Sequence, residues 1–308
     1  MGIPGIGEVV LETPDWPALP FEEWEATCDT LHMWTQIVGK TRLVLTPLEN
    51  HWWNVPLYVT PRGLSTSAVP YRHDTFEVEF DLIAHKLLIR TSGGNEHCIR
   101  LFPRPVADFY SEYMAALGSL GVDVKIRRTP VEFDDNTPFD QDRRHASYDH
   151  KYVERFRRIL VQSDRIFKQF RSRFLGKSSP VHFFWGSFDL AVTRFSGRRA
   201  PPRKDADPVT REAYSHEVIS CGFWPGDRRF KDAAFYAYSA PSPPGLDREP
   251  VLPEAAHWDH QLGEFILKYD DVRAVPLPDQ AVLDFCQSTY EAGAKVARWD
   301  RDILERAG

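Results

Sequence analysis

Cysteine is scarce. The four in this chain of 308 residues (Cys28, Cys98, Cys221 and Cys286) form no C-x-x-C pair and are too dispersed for a disulfide scaffold. They read as small buried hydrophobes in a reducing cytosol, and the expected location is cytoplasmic. No apolar run approaches the roughly 18 residues a membrane helix needs, so no membrane association is expected. The N-terminus lacks a basic start followed by an apolar stretch, and Ile6 stands where a myristoylation motif requires Ser or Thr. G-x-x-x-x-G-K-[ST], H-E-x-x-H and G-x-S-x-G are all absent, and the Gly2, Gly5, Gly7 cluster follows no strand. Asp134-Asp-Asn136 opens like a calcium loop, but Pro138 and Phe139 occupy positions that need a ligand and a turn glycine. A P-loop kinase, a zincin, an α/β-hydrolase and an EF-hand protein are therefore not expected. Nor does one sign of charge dominate: 38 basic residues against 44 acidic ones give a net charge of -6, with no whole-molecule field toward nucleic acid.

What is present is an ordinary globular composition, 42% hydrophobic and 13% aromatic, long enough for one large domain or two modest ones. The three-four spacing of Phe21, Trp24, Cys28, Leu31, Thr35 and Val38 predicts a helix that Pro20 precedes and Gly39 closes. Strands are predicted at 41–45, 57–60, 75–83 and 86–91, then a helix at 106–120 ending at Gly121. The second half repeats that order, with strands near 181–195, 216–223, 233–239 and 264–269 and a helix near 280–297. Arg100-Leu-Phe-Pro103-Arg-Pro105-Val106-Ala-Asp108-Phe109 also aligns with Arg273-Ala-Val-Pro276-Leu-Pro278 and Val282-Leu-Asp284-Phe285. An ancient duplication and chance recurrence of Pro before helices both account for it.

Between the halves a long helix is predicted over about 148–175, with an apolar stripe and a basic remainder. From Lys151 to Lys177, nine Lys or Arg stand against Glu154 and Asp164. A solvated face pairing with acids elsewhere is favoured over a phosphate stripe, since no aromatic is interleaved for base stacking, so nucleic acid is not an expected partner. The expected fold is α+β: two mainly antiparallel sheet-plus-helix lobes, at about 19–128 and 180–297, joined by that helix as one continuous unit. Loops are expected at 129–147, 197–212 and 239–256.

Polar residues set among large aromatics mark the candidate site. Asn50-His51-Trp52-Trp53-Asn54 suits a flat organic ligand or a sugar face, one Trp serving as a core plug and the other as a cleft wall. In 181–195, a regular strand would put Trp185, Ser187, Asp189 and Thr193 on one face and His182 and Arg194 on the other. Only a bulge at Gly186 would bring His182 to Asp189. His216, Ser220 and Trp224 share a face of the next strand, Glu217 taking the other, with His216 and Ser220 too far apart for nucleophile activation. His257-Trp-Asp259-His260 could offer metal ligands on a helical turn, but no third ligand is marked and no metal is assigned. Lys40 and Arg42, placed just past the first helix, could grip a carboxylate or phosphate, or merely complement its dipole.

Leu31-His-Met-Trp-Thr-Gln-Ile-Val-Gly-Lys40-Thr-Arg42-Leu, Asn50-His-Trp-Trp-Asn-Val55, His182-Phe-Phe-Trp-Gly-Ser-Phe-Asp189-Leu-Ala-Val-Thr-Arg194-Phe, Ser215-His-Glu217 with Gly222-Phe-Trp-Pro-Gly226, and Gly263-Glu-Phe-Ile-Leu-Lys-Tyr269 resemble a bacterial family known only as a domain of unknown function. The likeness runs over about 19–297. It implies one full-length unit and supplies no reaction, cofactor or catalytic residue. The expected function is a small-molecule enzyme with an aromatic cleft between the lobes and metal-independent acid–base chemistry. His182, His216 and Asp189 are the expected proton-transfer groups and Arg194 the anion anchor. Trp52, Trp185 and Trp224 are expected as walls, and His51, Lys40 and Arg42 as further ligand contacts. A non-catalytic ligand- or partner-binding protein is the alternative.

Overall fold

Pro20 opens the first helix, α1 (Phe21–Leu45), and Pro47 closes it by forcing Thr46 into extended backbone. The computed structural model describes residues 15–306, so the readings of Ile6 and of the Gly2, Gly5, Gly7 cluster fall outside the described residues. Gly39 does not end α1, and 41–45 is not a strand; Lys40 and Arg42 are buried inside the helix. The glycine is there for a neighbour: a Cβ on it would stand 2.3 Å from atoms of the Trp185 ring. Gly39→Ala is therefore expected to destabilise the protein, reversing the gain of about 1 kcal/mol that Gly→Ala ordinarily brings to a helix interior, and a drop in thermal midpoint checks it.

Six short strands follow: β1 (Tyr58–Thr60), β2 (Gly63–Ser65), β3 (Val69–Tyr71), β4 (Asp74–Asp81), β5 (Lys86–Thr91) and β6 (Glu96–Arg100). They form an antiparallel sheet in the order β1-β2-β4-β5-β6, with β3 also on β4. Phe76, Val78 and Phe80 are buried as their alternation requires. Glu79 and Asp81 are also covered, held by Arg90 and Arg62. Cys98 lies on the edge strand β6 and is exposed, whereas Cys28, Cys221 and Cys286 are buried thiols. Helix α2 (Val106–Ser119) follows Pro105, and α3 (His150–Ser172) is capped by the Asp149 carboxylate on the Lys151 amide at 2.8 Å.

The α3 stripe Tyr152, Phe156, Ile159, Leu160, Phe167 and Phe170 is buried. Much of its basic face is paired within the protein: Arg157 and Arg158 with Glu154, Lys168 with Asp164, Arg165 with Asp279. The helix packs on α6, on strand β8 of the second sheet and on β1 and β2 of the first.

The second sheet holds β7 (His182–Phe184), β8 (Asp189–Arg199), β9 (His216–Trp224), β10 (Ala234–Ala240), β11 (His257–Asp259) and β12 (Glu264–Lys268), antiparallel in the order β11-β12-β10-β9-β8-β7. Short α4 (Pro208–Ala213) interrupts it, and α5 (Tyr269–Ala274), α6 (Pro278–Val296) and α7 (Arg301–Leu304) complete the chain. Leu57 and Phe183 exchange both backbone hydrogen bonds at 2.9 Å, tying the edges of the two sheets. The α+β class holds, with two antiparallel sheets and seven α-helices among the described residues. The internal match aligns unlike elements, since Arg100 ends β6 while Arg273 lies in α5.

Residues 181–195 are not one strand. The chain reverses at 185–188, so His182 pairs with Ala191 and Phe184 with Asp189. Reversal resets the parity, and His182 shares the Asp189 face without any bulge. His257-Trp-Asp259 is likewise a strand, so His257 and His260 do not share a helical face.

Candidate functional site

One face of the second sheet packs on α3 and α6. The other is the floor of a cleft of about 1290 Å³. Cross-strand register places Asp189, Ala191 and Thr193 of β8, Ser220, Gly222 and Trp224 of β9, and Tyr236 and Tyr238 of β10 on this floor, with Glu264 and Ile266 of β12. The walls come from α1 (Asp29, His32), the turn at 50–53, residues 131–134, the β7–β8 turn and α4.

Asp189 is the deepest charge. It is 7% exposed and accepts hydrogen bonds from the hydroxyls of Ser187 and Tyr236, while burial pushes its pKa upward. Glu264 is half-buried, and among the described residues it has no hydrogen-bond or cationic partner. Burial first, then the charges of Asp189 and Asp259, raise its pKa to about 7. Glu132 is exposed as a residue, yet its carboxyl lies over Gly186, where desolvation and the Asp189 charge push it upward. A line of hydroxyls completes the floor: Tyr214 to Tyr238 at 3.0 Å and Ser220 to Thr193 at 2.9 Å.

His32 is a site residue that sequence reasoning missed. Its Nε2 lies 3.0 Å from the Trp185 carbonyl and 2.9 Å from that of Gly186, two acceptors that favour a proton on Nε2. Gln36 Nε2, also 3.0 Å away, is oriented by its own bond to the Val131 carbonyl at 2.8 Å. Nδ1 has no protein partner among the described residues. Burial lowers the ring's pKa to about 4, so it is neutral, stacked on Phe188 and edge-on to Phe133.

Backbone strain gathers here too. Of eight non-glycine residues with positive φ among those described, four line this cleft: His51, Trp52, Glu132 and Phe188. L-residues adopt that conformation at a cost, and such costs concentrate where geometry is functional. The left-handed turn aims His51 at α4, where Nδ1–H meets the carbonyls of Glu212 and Ala213 at 3.2 and 3.3 Å. Nε2 accepts from Lys177 at 2.7 Å.

The other expected residues divide between the cleft and its surroundings. Trp52, Trp185 and Trp224 line it with His51, the Trp185 indole donating to the Val55 carbonyl at 2.8 Å. His182 is 1% exposed within the rings of Trp53, Tyr58 and Phe184, both ring nitrogens are unpartnered, and burial lowers its pKa to about 3. His216, beside Ser215 and edge-on to His51, is not among the lining residues. Arg194 points to the opposite face, fully buried among Phe170, Phe174 and Tyr290, and donates to the Phe170 carbonyl. Lys40 lies over the rings of Phe139 and Trp185, its pKa lowered to about 8 by burial and by Arg127. Arg42 donates to the Thr66 carbonyl and covers Tyr58.

Among the described residues no group of three or more His, Cys, Asp or Glu is placed to hold a metal ion, and no helix is long and apolar enough to cross a membrane. No curated protein and no solved structure matches the chain. A family model does match, over residues 16–306, and by it the chain belongs to a family of unknown function, DUF5996.

Proposed function

We propose that the protein is an enzyme acting on a small molecule by proton transfer, with Asp189 as base and Glu264 as acid. The observation that carries this reading is the pair itself: two carboxyls in one aromatic cleft, coupled through space, without a neutralising cation. Burial raises the pKa of Asp189 and with it its basicity, and the two hydroxyls it accepts from work in the other direction, toward the ionised form a base needs. Glu264, with its pKa near 7, holds a proton for part of the time at neutral pH and releases it readily, as a general acid must. Trp52, Trp185, Trp224 and Tyr214 give a substrate apolar area, and the polar floor orients it. His182 and His216 take no part in this scheme.

The test compares small-molecule extracts incubated with the protein and with Asp189→Asn, followed by mass spectrometry. A substrate depleted by the wild type at a rate at least 100-fold above that of the variant is expected, since a positioned acid–base group contributes about 10²–10⁴-fold. Identical profiles from both proteins would replace the enzyme by a binding protein.

A further inference from the structure

The free polar groups of the cleft are mainly acceptors, with the buried, unpartnered indole N–H of Trp52 as a donor beside them. His32 is 7% exposed, and with its proton on Nε2 toward two carbonyls, Nδ1 carries the lone pair. Asp189 and Glu264 are acceptors without a Lys or Arg partner among the described residues. The hydroxyls that could donate are engaged, Ser187 and Tyr236 with Asp189, and Tyr214, Tyr238, Ser220 and Thr193 with one another. Seven carboxylates line the cleft against three arginines. Arg228 is taken by Glu25 and Asp29 and Arg229 by Asp227, while Arg127, beside Lys40, has no ion pair among the described residues.

A neutral sugar needs donors as well as acceptors from its site and would find mainly acceptors here, and an anion would meet a surplus of carboxylates. An ammonium group has three donors and no acceptor, and it is attracted to aromatic faces. We propose that the cleft binds an organic cation bearing N–H donors, a polyamine or an aminosugar, whose ammonium groups are received by Asp189, Glu264, Glu132 and Nδ1 of His32. The volume of about 1290 Å³ accommodates either. This substrate class rests on the cleft being the reaction site proposed above.

Binding of a cation has a protonic signature. The groups facing Glu264 are Asp189 from β8, Asp259 from β11, Tyr236 and Tyr238 from β10 and Tyr214 after α4, with His257 and His260 flanking Asp259. Burial and two carboxylates raise its pKa, with no cation paired to it among the described residues, so an arriving ammonium lowers it and expels a proton at pH 7.

Calorimetric titration of the full chain with spermidine and, separately, kanamycin, in two buffers of different ionisation enthalpy, tests this. At least one should bind with proton release, and Glu264→Gln and Glu132→Gln should each weaken it by about tenfold, the equivalent of 1.4 kcal/mol. Which of the two binds distinguishes polyamine from aminosugar. The proposal is overturned if neither binds, if sucrose or sorbitol binds as tightly, or if both Gln variants retain wild-type affinity. Sucrose binding together with Asp189-dependent turnover would remove the cationic substrate and leave the enzyme. Cation binding without turnover would do the reverse.

Discussion

Arg194→Ala is expected to lower the unfolding free energy by about 2–5 kcal/mol, the range for emptying a large buried side chain. The guanidinium lies 3.5 Å from the Phe170 ring centroid, 4.3 Å from that of Tyr290 and 4.9 Å from that of Phe174. Its Nε has no partner, and burial lowers its pKa to about 10. The side chain therefore works mainly by volume and ring contact, and its charge is a liability in that setting. Arg194→Met should restore most of the loss, because a flexible apolar chain of similar length refills the space. Urea titration of both variants measures this, with an unchanged slope indicating that the folded state is the same. A stable Arg194→Met protein that had lost ligand binding would instead make the guanidinium a ligand anchor.

His182→Phe is expected to alter acid stability more than any other single replacement of a histidine. The ring's pKa falls from an ordinary 6.5 to about 3, first by burial, then by the charges of Arg42 and Arg171. Below pH 6.5 the unfolded chain takes up a proton that the folded one refuses until about pH 3. The stability held by neutral His182 is complete above pH 6.5 and is lost as pH falls. Phenylalanine does not titrate, so the variant should gain on wild type by about 1.4 kcal/mol per pH unit between roughly pH 6 and 4. Glu264 runs the other way, since its raised pKa makes the folded state bind the extra proton, but it is common to both proteins and cancels in the comparison. At pH 7.5 the variant should match or exceed wild type, because two buried nitrogens without partners are removed. Equal slopes for the two proteins would place a protonatable His182 in contact with water.

Much of this architecture is legible from spacing alone, because α1, α2, α3 and α6 carry apolar residues at three-four spacing and Phe76, Val78 and Phe80 alternate in β4. Local rules failed where a tertiary neighbour decided the outcome. Gly39 looks like a helix stop, yet its role is to admit the Trp185 ring. The reversal at 185–188 contains only Gly186 as a turn signal, and parity counted across a hidden turn misplaced His182. β2 and β3 are three residues each, too short for any period.

Asp189 and the tryptophans stood out because polar and aromatic residues crowd together in sequence. His32 and Glu264 did not, because each becomes chemical only through distant partners: the carbonyls of residues 185 and 186 for one, the Asp189 charge for the other. A faint signal existed for Glu264, since the burial of Phe265 and Leu267 sends Glu264 and Ile266 to the opposite face.

The grip of His51 on α4 has an evolutionary consequence. It is made to the carbonyl oxygens of Glu212 and Ala213, which every amino acid possesses. Val209 and Thr210, which face the cleft from the same short segment, contribute no atom to that attachment. Substitutions there would alter what the cleft accepts while the segment stays anchored, so preference for one ligand over another is free to diverge among relatives faster than the scaffold beneath it.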